Sequence, residues 1–243
     1  NEAANDEMML EADQQEFDQI VASIDRISKN TQYGNKFLLD GSGAGNGVTT
    51  GKNLSFVNAG VTGRSSGVYG YDIDIKQAAT RSTHNGTVAL TQQIIDAEEQ
   101  ITIIESGRTV NFRTIAGTNI EQTMNQLSNA MKQSGVNVEL IRPKGDSASR
   151  NAPQTLTFRH KKYGSEHFFQ VASNTSGLLS NVSNVSERVK NGLDVVGEIA
   201  KEGATGRGQV LTGKGGFGSK AEGISIRYSG ENAPPALAAT IIR

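Results

Sequence analysis

The sequence predicts an α+β fold: a helical and β-hairpin segment, followed by a smaller domain of antiparallel strands with one or two helices. Three patterns carry that expectation. Apolar residues near the start recur at helical spacing. Glycine-bounded stretches then alternate apolar and polar residues as strands do. A single capped helix pattern sits among further alternating runs, the order of a small α+β unit.

The first element is a helix over Leu10–Ile27. Leu10, Phe17, Ile20, Val21, Ile24 and Ile27 fall on one face, with Asp13, Gln14, Asp18, Gln19, Asp25 and Arg26 opposite. The pattern stops at "KNTQYGN", where Asn30, Gly34 and Asn35 break helices. "KFLLDG" then gathers Phe37, Leu38 and Leu39 before an Asp-Gly turn. From Gly41 to about Gly70 the chain is rich in Gly, Ser, Thr and Asn, and pieces such as "LSFV" and "YDIDI" predict hairpin strands.

A boundary falls near Arg81–Ala89 and divides the chain into 1–85 and 86–243. Beyond it, "QQIIDAEEQITII" reads as strand, with or without a preceding helical turn, and Arg108–Ile115 reads as strand. Ile120, Met124, Leu127 and Met131 repeat at helical spacing; Thr118 with Glu121 forms a capping-box pattern, and Gly135 stands at the stop. "VNVELI", "QTLTFRH" and "HFFQVAS" are strand-like, and "SNTSGLLSNVSNVSERV" is loop or weak helix. Gly223–Gly230 brackets another strand, and "ENAPPALAATIIR" carries no terminal signature.

Composition narrows the function. The 243 residues hold 24 basic and 25 acidic side chains, a net charge of −1, with no basic block and few aromatics, which argues against a nucleic-acid partner. No apolar run approaches the ~20 residues of a membrane helix, so no membrane partner is expected. Without Cys, disulfides and thiolate metal sites are out. The opening "NEAANDEMML", without an initiator Met, reads as part of a longer chain. The 28 Gly and sparse aromatics predict a thin core under much polar surface.

The candidate chemical motifs resolve into structural readings. Gly208, Gly213 and Lys214 match G-x-x-x-x-G-K, but Gly215 replaces the hydroxyl that a phosphate loop needs, and "GGFGSKAEG" cannot hold the helix that should follow. His160 and His167 have no metal-pair spacing and are expected to flank a hairpin, exposed at strand ends. Glu98–Glu99 and Asp72/Asp74 read as solvated pairs, and Phe158, Tyr163, Phe168 and Phe169 as core or surface aromatics. Asn53, Asn85, Asn174, Asn181 and Asn184 stand in sequon patterns and predict exposed surface. No catalytic residue, cofactor or metal ligand is expected, and no enzymatic activity.

The stretch "EFDQIVASIDRISKNTQYGNKFLLDG" resembles bacterial flagellin, whose N-terminal core reads E-I-D-R-I, then T-x-F-N-G, then L-L-D-G. Ile24, Asp25, Arg26, Ile27, Thr31, Gln32, Tyr33, Leu38, Leu39, Asp40 and Gly41 carry the likeness, which covers about the first forty residues. Tyr33-Gly34-Asn35 stands where Phe-Asn-Gly is usual, and Ser23 where Glu is usual. "GTNIEQTMNQLSNAMKQSGVNVEL" is similar to a module of flagellin and hook-associated variable regions. "GLDVVGEIAKEGATGRGQVLTGKGG" is similar to a glycine-rich module shared with filament-cap proteins, from whose usual small and amide residues Glu198 and Lys201 depart.

The resemblance implies a secreted structural subunit of the extracellular bacterial flagellum, polymerising into the filament for motility. Residues 1–85 would be the core segment and 86–243 a variable, solvent-exposed outer domain. Asp25, Arg26, Thr31, Gln32, Tyr33, Asn35 and Asp40 would be subunit-interface residues, while Leu10, Phe17, Ile20, Val21, Ile24, Ile27, Leu38 and Leu39 pack a bundle core. Implied partners are other flagellin subunits, an export chaperone, the filament cap and a host innate receptor, although Ser23 removes one receptor contact. The alternatives are a surface adhesin or glycan-binding module and a hook–filament junction protein.

Overall fold

The computed structural model describes residues 14, 16–24, 26–27, 32–33, 36–37, 45–60, 62–142, 147–216, 218–235 and 237–242. Helical positions within 14–27 form α1, and β1 (Gln32–Tyr33) pairs with β2 (Lys36–Phe37). Every strand pair among the described residues is antiparallel. The expected α+β class therefore takes a strand-dominated form, with helices as minor elements.

The chain builds two bodies, each around its own core. In the first, β3 (Asn46–Thr50), β4 (Leu54–Ala59) and β5 (Tyr71–Gln77) join strands from the far end of the sequence. Those are β13 (Val196–Ile199), β14 (Glu202–Arg207), β15 (Val210–Gly213), β16 (Ile224–Tyr228) and β17 (Leu237–Ile242). The spatial order is β3-β17-β5-β13-β14-β15-β16-β4. The two edges, β3 and β4, are consecutive in the chain and meet at the Gly45–Ala59 bridge, where Gly45 N–H donates to Ala59 O at 3.0 Å. The sheet thus curls shut into a barrel, which leaves no free edge there. Alternation does the rest: Ile73 and Ile75 point in, while Asp72, Asp74 and Lys76 point out.

The interior is narrow. A methyl group on Gly206 would lie 1.7 Å from Val195 O, and one on Gly197 2.2 Å from Asp74 O, so these strands approach as closely as backbone allows. The β13–β14 hairpin turns on two residues, Ala200 (φ 56°) and Lys201 (φ 64°), the positive-φ pair of a type I′ turn. Glycine or asparagine is the unstrained choice there, and this chain has neither.

The second body spans about residues 80–190. It contains β6 (Thr83–Leu90), α2 (Gln92–Asp96), β7 (Gln100–Glu105), β8 (Arg108–Arg113), α3 (Ile120–Gln133), β9 (Val138–Ile141), α4 (Ser147–Asn151), β10 (Gln154–His160), β11 (Gln170–Ser173) and β12 (Glu187–Arg188). Two sheets, β6-β10-β9 and β12-β11-β7-β8, share one core with the apolar face of α3. Ile120, Met124, Leu127 and Met131 of α3 are buried with Ile101, Ile103, Val110, Leu156 and Phe158.

Several sequence expectations shift here. The helix cap sits one residue later than Thr118–Glu121: Asn119 accepts from Gln122 N–H, and Gln122 accepts from Asn119 N–H. Thr118 is occupied elsewhere, donating to Ile115 O. Gly135 does end the helix, at φ 66°. The boundary stretch, Arg81–Ala89, contains most of β6, and the tail, which carries no terminal signature in the sequence, contains β17 (Leu237–Ile242). Asn53, Asn85, Asn174, Asn181 and Asn184 are all exposed.

Two substitutions test the barrel. Lys201→Gly should raise stability by about 1 kcal/mol by relieving the left-handed backbone, whereas Gly206→Ala should lower it by about 1–3 kcal/mol. Urea denaturation followed by circular dichroism reads both; equal midpoints for the three proteins would contradict the close-packed hairpin.

Candidate functional site

Two places hold the residues with functional potential: the helical segment and the neck between the bodies. In α1 the side chains of Phe17, Ile20, Val21, Ile24 and Ile27 are half or more exposed, or nearly so, from 47% at Val21 to 61% at Phe17. Their helical spacing sets them on one face, so a continuous apolar stripe faces outward. Arg26 lies exposed on the same helix. Gln32 and Tyr33 lie in the β1–β2 hairpin. Leu10, Asp25, Thr31, Asn35, Leu38, Leu39 and Asp40 lie outside the described residues.

The neck is made because β5 leaves the barrel beside the strand that returns. Thr80 N–H donates to Leu193 O (2.9 Å), Leu193 N–H to Thr80 Oγ1 (2.9 Å) and Gly164 N–H to Thr80 O (3.0 Å). Asp194 locks the arrangement. Its carboxylate accepts from Gly208 N–H of the barrel (2.6 Å) and from both the N–H (3.1 Å) and hydroxyl of Ser165 in the second body. Burial pushes the Asp194 carboxyl up, yet the bonds from Ser165 and Gly208 outweigh it and hold the group below its ordinary value. On the second-body side of the neck, Glu139 Oε1 accepts from Arg81 (3.0 Å) and Arg159 (2.9 Å), while Arg81 covers the Tyr163 ring at 4.4 Å and Tyr163 packs against the barrel core.

Beneath the neck lies a buried acid–imidazole pair. His160 Nδ1 accepts from Lys162 N–H (3.0 Å), which leaves Nε2 as the protonated nitrogen, 3.4 Å from Glu105 Oε1. Glu105 also accepts from Ser106 Oγ (2.6 Å) and Asn137 N–H (3.1 Å). Burial raises its carboxyl, but these donors together prevail and hold it below the usual range. His167 stacks on His160 with ring centroids 5.0 Å apart and 5° between planes. Burial lowers His167, and the nearby His160 and Lys162 add to that.

His160 was expected at an exposed strand end; it is 1% exposed. Glu99, expected in a solvated pair, is 3% exposed and accepts from Asn174 N–H, Thr175 N–H and the Thr175 hydroxyl. Strand parity contained the signal. Continuing the inward set Ile101 and Ile103 places Glu99 and Glu105 inside, and continuing Leu156 and Phe158 places His160 inside. Each charge is matched by local donors, so the pair works as a structural clasp. The cleft beside it, lined by Tyr163, Glu166, His167, Asp194 and Arg207, has a volume of about 210 Å³, below that of ordinary ligand pockets. Gly208 precedes β15 and Gly213 ends it; Lys214–Gly216 are irregular and turns follow at Gly218 and Glu222–Gly223, so among the described positions the phosphate-loop match is not followed by a helix.

A closed antiparallel barrel, joined through a two-strand neck to an α+β body, defines the class of fold. It is shared with domains of flagellar cap proteins. The D1–D2–D3 domains of the Escherichia coli flagellar cap protein FliD match with a TM-score of 0.53 at 11% identity over 83% of this chain. The chain spans 58% of that structure's length. The D2–D3 domains alone match with a TM-score of 0.52 at 12% identity, covering 82% of this chain and all of theirs. The D2–D3 domains of FliD from Serratia marcescens give 0.50 at 10% identity over 79% of this chain. No protein-family model matches the sequence, nor does any curated protein. Among the described residues no helix is long and apolar enough to cross a membrane.

The neck sets the pH response. As pH falls, the unfolded chain takes up a proton at histidine near pH 6.5 before His167 can, so stability should fall through about that value. Glu105 and Asp194 are likewise lowered in the fold; their contribution is present above the unfolded carboxylate value and is lost as pH falls below about 4. Urea midpoints measured from pH 8 to 3 should show both stages. His167→Gln should remove the first stage, and Asp194→Asn should cost about 2 kcal/mol at neutral pH by leaving its donors poorly matched.

Proposed function

We propose that this chain is a structural subunit of the bacterial flagellar filament, exposing its two β-rich bodies on the outside. The exposed stripe of Phe17, Ile20, Val21 and Ile24 carries the proposal. Apolar side chains in helical register are stable in water only when another surface covers them, and neighbouring helices are the natural cover. The likeness of the opening segment to flagellin supplies the kind of cover: a bundle in which the same contact repeats from copy to copy without closing. In this reading Asp25, Arg26, Thr31, Gln32, Tyr33, Asn35 and Asp40 face neighbouring subunits, and Leu10, Leu38 and Leu39 join the stripe in the bundle. Residues 1–85 hold the inner segment and 86–243 the outer domain, with the barrel drawing strands from both. The role is structural, the location extracellular, and the partners are like subunits together with the export and capping machinery.

A second reading has its own support. The fold shared with flagellar cap domains, and the glycine-rich stretch Asp194–Gly213 that resembles a cap-protein module, favour a subunit of the filament tip. Electron microscopy with gold-labelled antibody against residues 45–242 separates the two. Label along the whole filament supports the filament subunit, and label at the tip alone supports the cap. Label at the hook–filament junction or on the cell body overturns both, in favour of a junction protein or an adhesin. In the filament reading, replacing Ile20 and Ile24 together by Asp should abolish incorporation while leaving the secreted protein folded.

A further inference from the structure

The end of the second body nearest the neck is ringed by cations. Arg108, Lys132, Lys161, Lys162, Arg188 and Lys190 are all exposed there. Short backbone contacts hold them in one neighbourhood. Arg108 donates to Gly135 O (2.7 Å), whose own N–H donates to Lys132 O (3.1 Å). Lys161 N–H donates to Asn137 O (2.7 Å). Ser82 joins the remaining members, since its O accepts from His160 N–H (2.8 Å) and its hydroxyl donates to Lys190 O (2.7 Å). Arg188 lies flat over Phe168 at 3.7 Å. None of the six has an ion-pair partner among the described residues. Of the acids at this end, Glu139 pairs with Arg81 and Arg159 and Glu166 with Arg207, while Glu105 and Glu187 are held by uncharged donors. The six cations outnumber these two carboxylates, so positive charge predominates over the rim.

The matching charge lies elsewhere in the same sequence. Residues 1–25 carry eight carboxylates, from Glu2 to Asp25, and no Lys or Arg. The remaining residues hold 17 acidic and 24 basic side chains, a net +7. A chain that is nearly neutral as a whole is thus strongly polarised, which suits a contact between unlike parts of separate molecules.

We propose that the basic rim formed by Arg108, Lys132, Lys161, Lys162, Arg188 and Lys190 docks the acidic segment 1–25 of a second copy of this chain. The barrel topology puts the segment and the rim at opposite ends of the barrel, so that copies can join end to end. Asn46, where the chain enters the barrel, pairs with Ile242, beyond the Tyr71 end of β5, while the neck follows the other end of that strand. The rim therefore lies about 30 Å, the length of some nine strand residues, from where its own N-terminal segment departs. The contact is head-to-tail, so it can propagate. It is separate from the filament reading and compatible with it, because helical spacing sets Asp18 and Asp25 away from the apolar stripe that the bundle would cover.

Sedimentation velocity on the whole chain tests the contact without requiring filaments. At low salt the protein should self-associate in a concentration-dependent way, and about 0.5 M salt should weaken this at least tenfold, because exposed charges are then screened within a few ångströms. Replacing Lys161, Lys162 and Lys190 together by Glu should abolish association. Replacing Glu11, Asp13 and Glu16 together by Lys should do the same. Mixing the two variants should restore it, since the acidic segment of one then meets the basic rim of the other. That restoration also shows that both variants are folded. A protein monomeric at low salt, association that neither variant alters, or variants that stay apart when mixed would each overturn the proposal. A salt-dependent compaction without a change in mass would overturn it in favour of a contact within one chain.

Discussion

The pairing of β5 between β13 and β17 brings together stretches of chain more than a hundred residues apart, and the rest of the molecule is arranged around that closure. Long-range antiparallel pairing carries a loop-closure cost before it returns any burial. Folding the intervening segment into a body with its own core makes the connection compact and reduces that cost. The neck follows directly. A strand that leaves a sheet next to the strand that returns must place the two crossing segments side by side, and Thr80 and Leu193 exchange hydrogen bonds there. Asp194, immediately after the return, then binds donors from both bodies with one carboxylate.

Much of the strand content was legible because alternation is a local property. "LSFV", "YDIDI", "RTVNFR", "QTLTFRH" and "ISIRY" all became strands where the period of two placed them. What stayed hidden was partner choice. Nothing local in "NGVTT" or "LAATII" states that they lie side by side, since that register exists only once the barrel has closed. The strand in the tail gives a weak signal because Ala238 and Ala239 offer little contrast between inside and outside. The helix cap moved by one residue because Asn119 competes with Thr118 for the same role, and Thr118 has a better use in the preceding turn.

The second body admits Glu99, Glu105 and His160 to its inward rows beside its apolar core. Each would be costly alone. Each is instead surrounded by backbone N–H groups and hydroxyls supplied by turns at strand ends, so that the polar rows are satisfied where the sheets terminate. The same feature explains why these residues were misjudged from the sequence. An ionisable residue at a strand end reads as solvated unless the parity of the whole strand is followed to its last position.

The barrel restrains its sequence through geometry. The stretch Asp194–Gly213 supplies the neck carboxylate, the hairpin turn and the glycines at which strands nearly touch. Backbone approach tolerates almost no substitution, because a single carbon at Gly206 would collide with Val195 O. The outward face has no such restraint and is free to acquire charges suited to a neighbour. Lys201 shows the limit of that freedom, since it keeps the hairpin although its backbone sits where glycine is at ease. The interior of this molecule is therefore restrained by a few close-packed glycines and one carboxylate, while its surface carries an apolar helix stripe at one place and a basic rim at another.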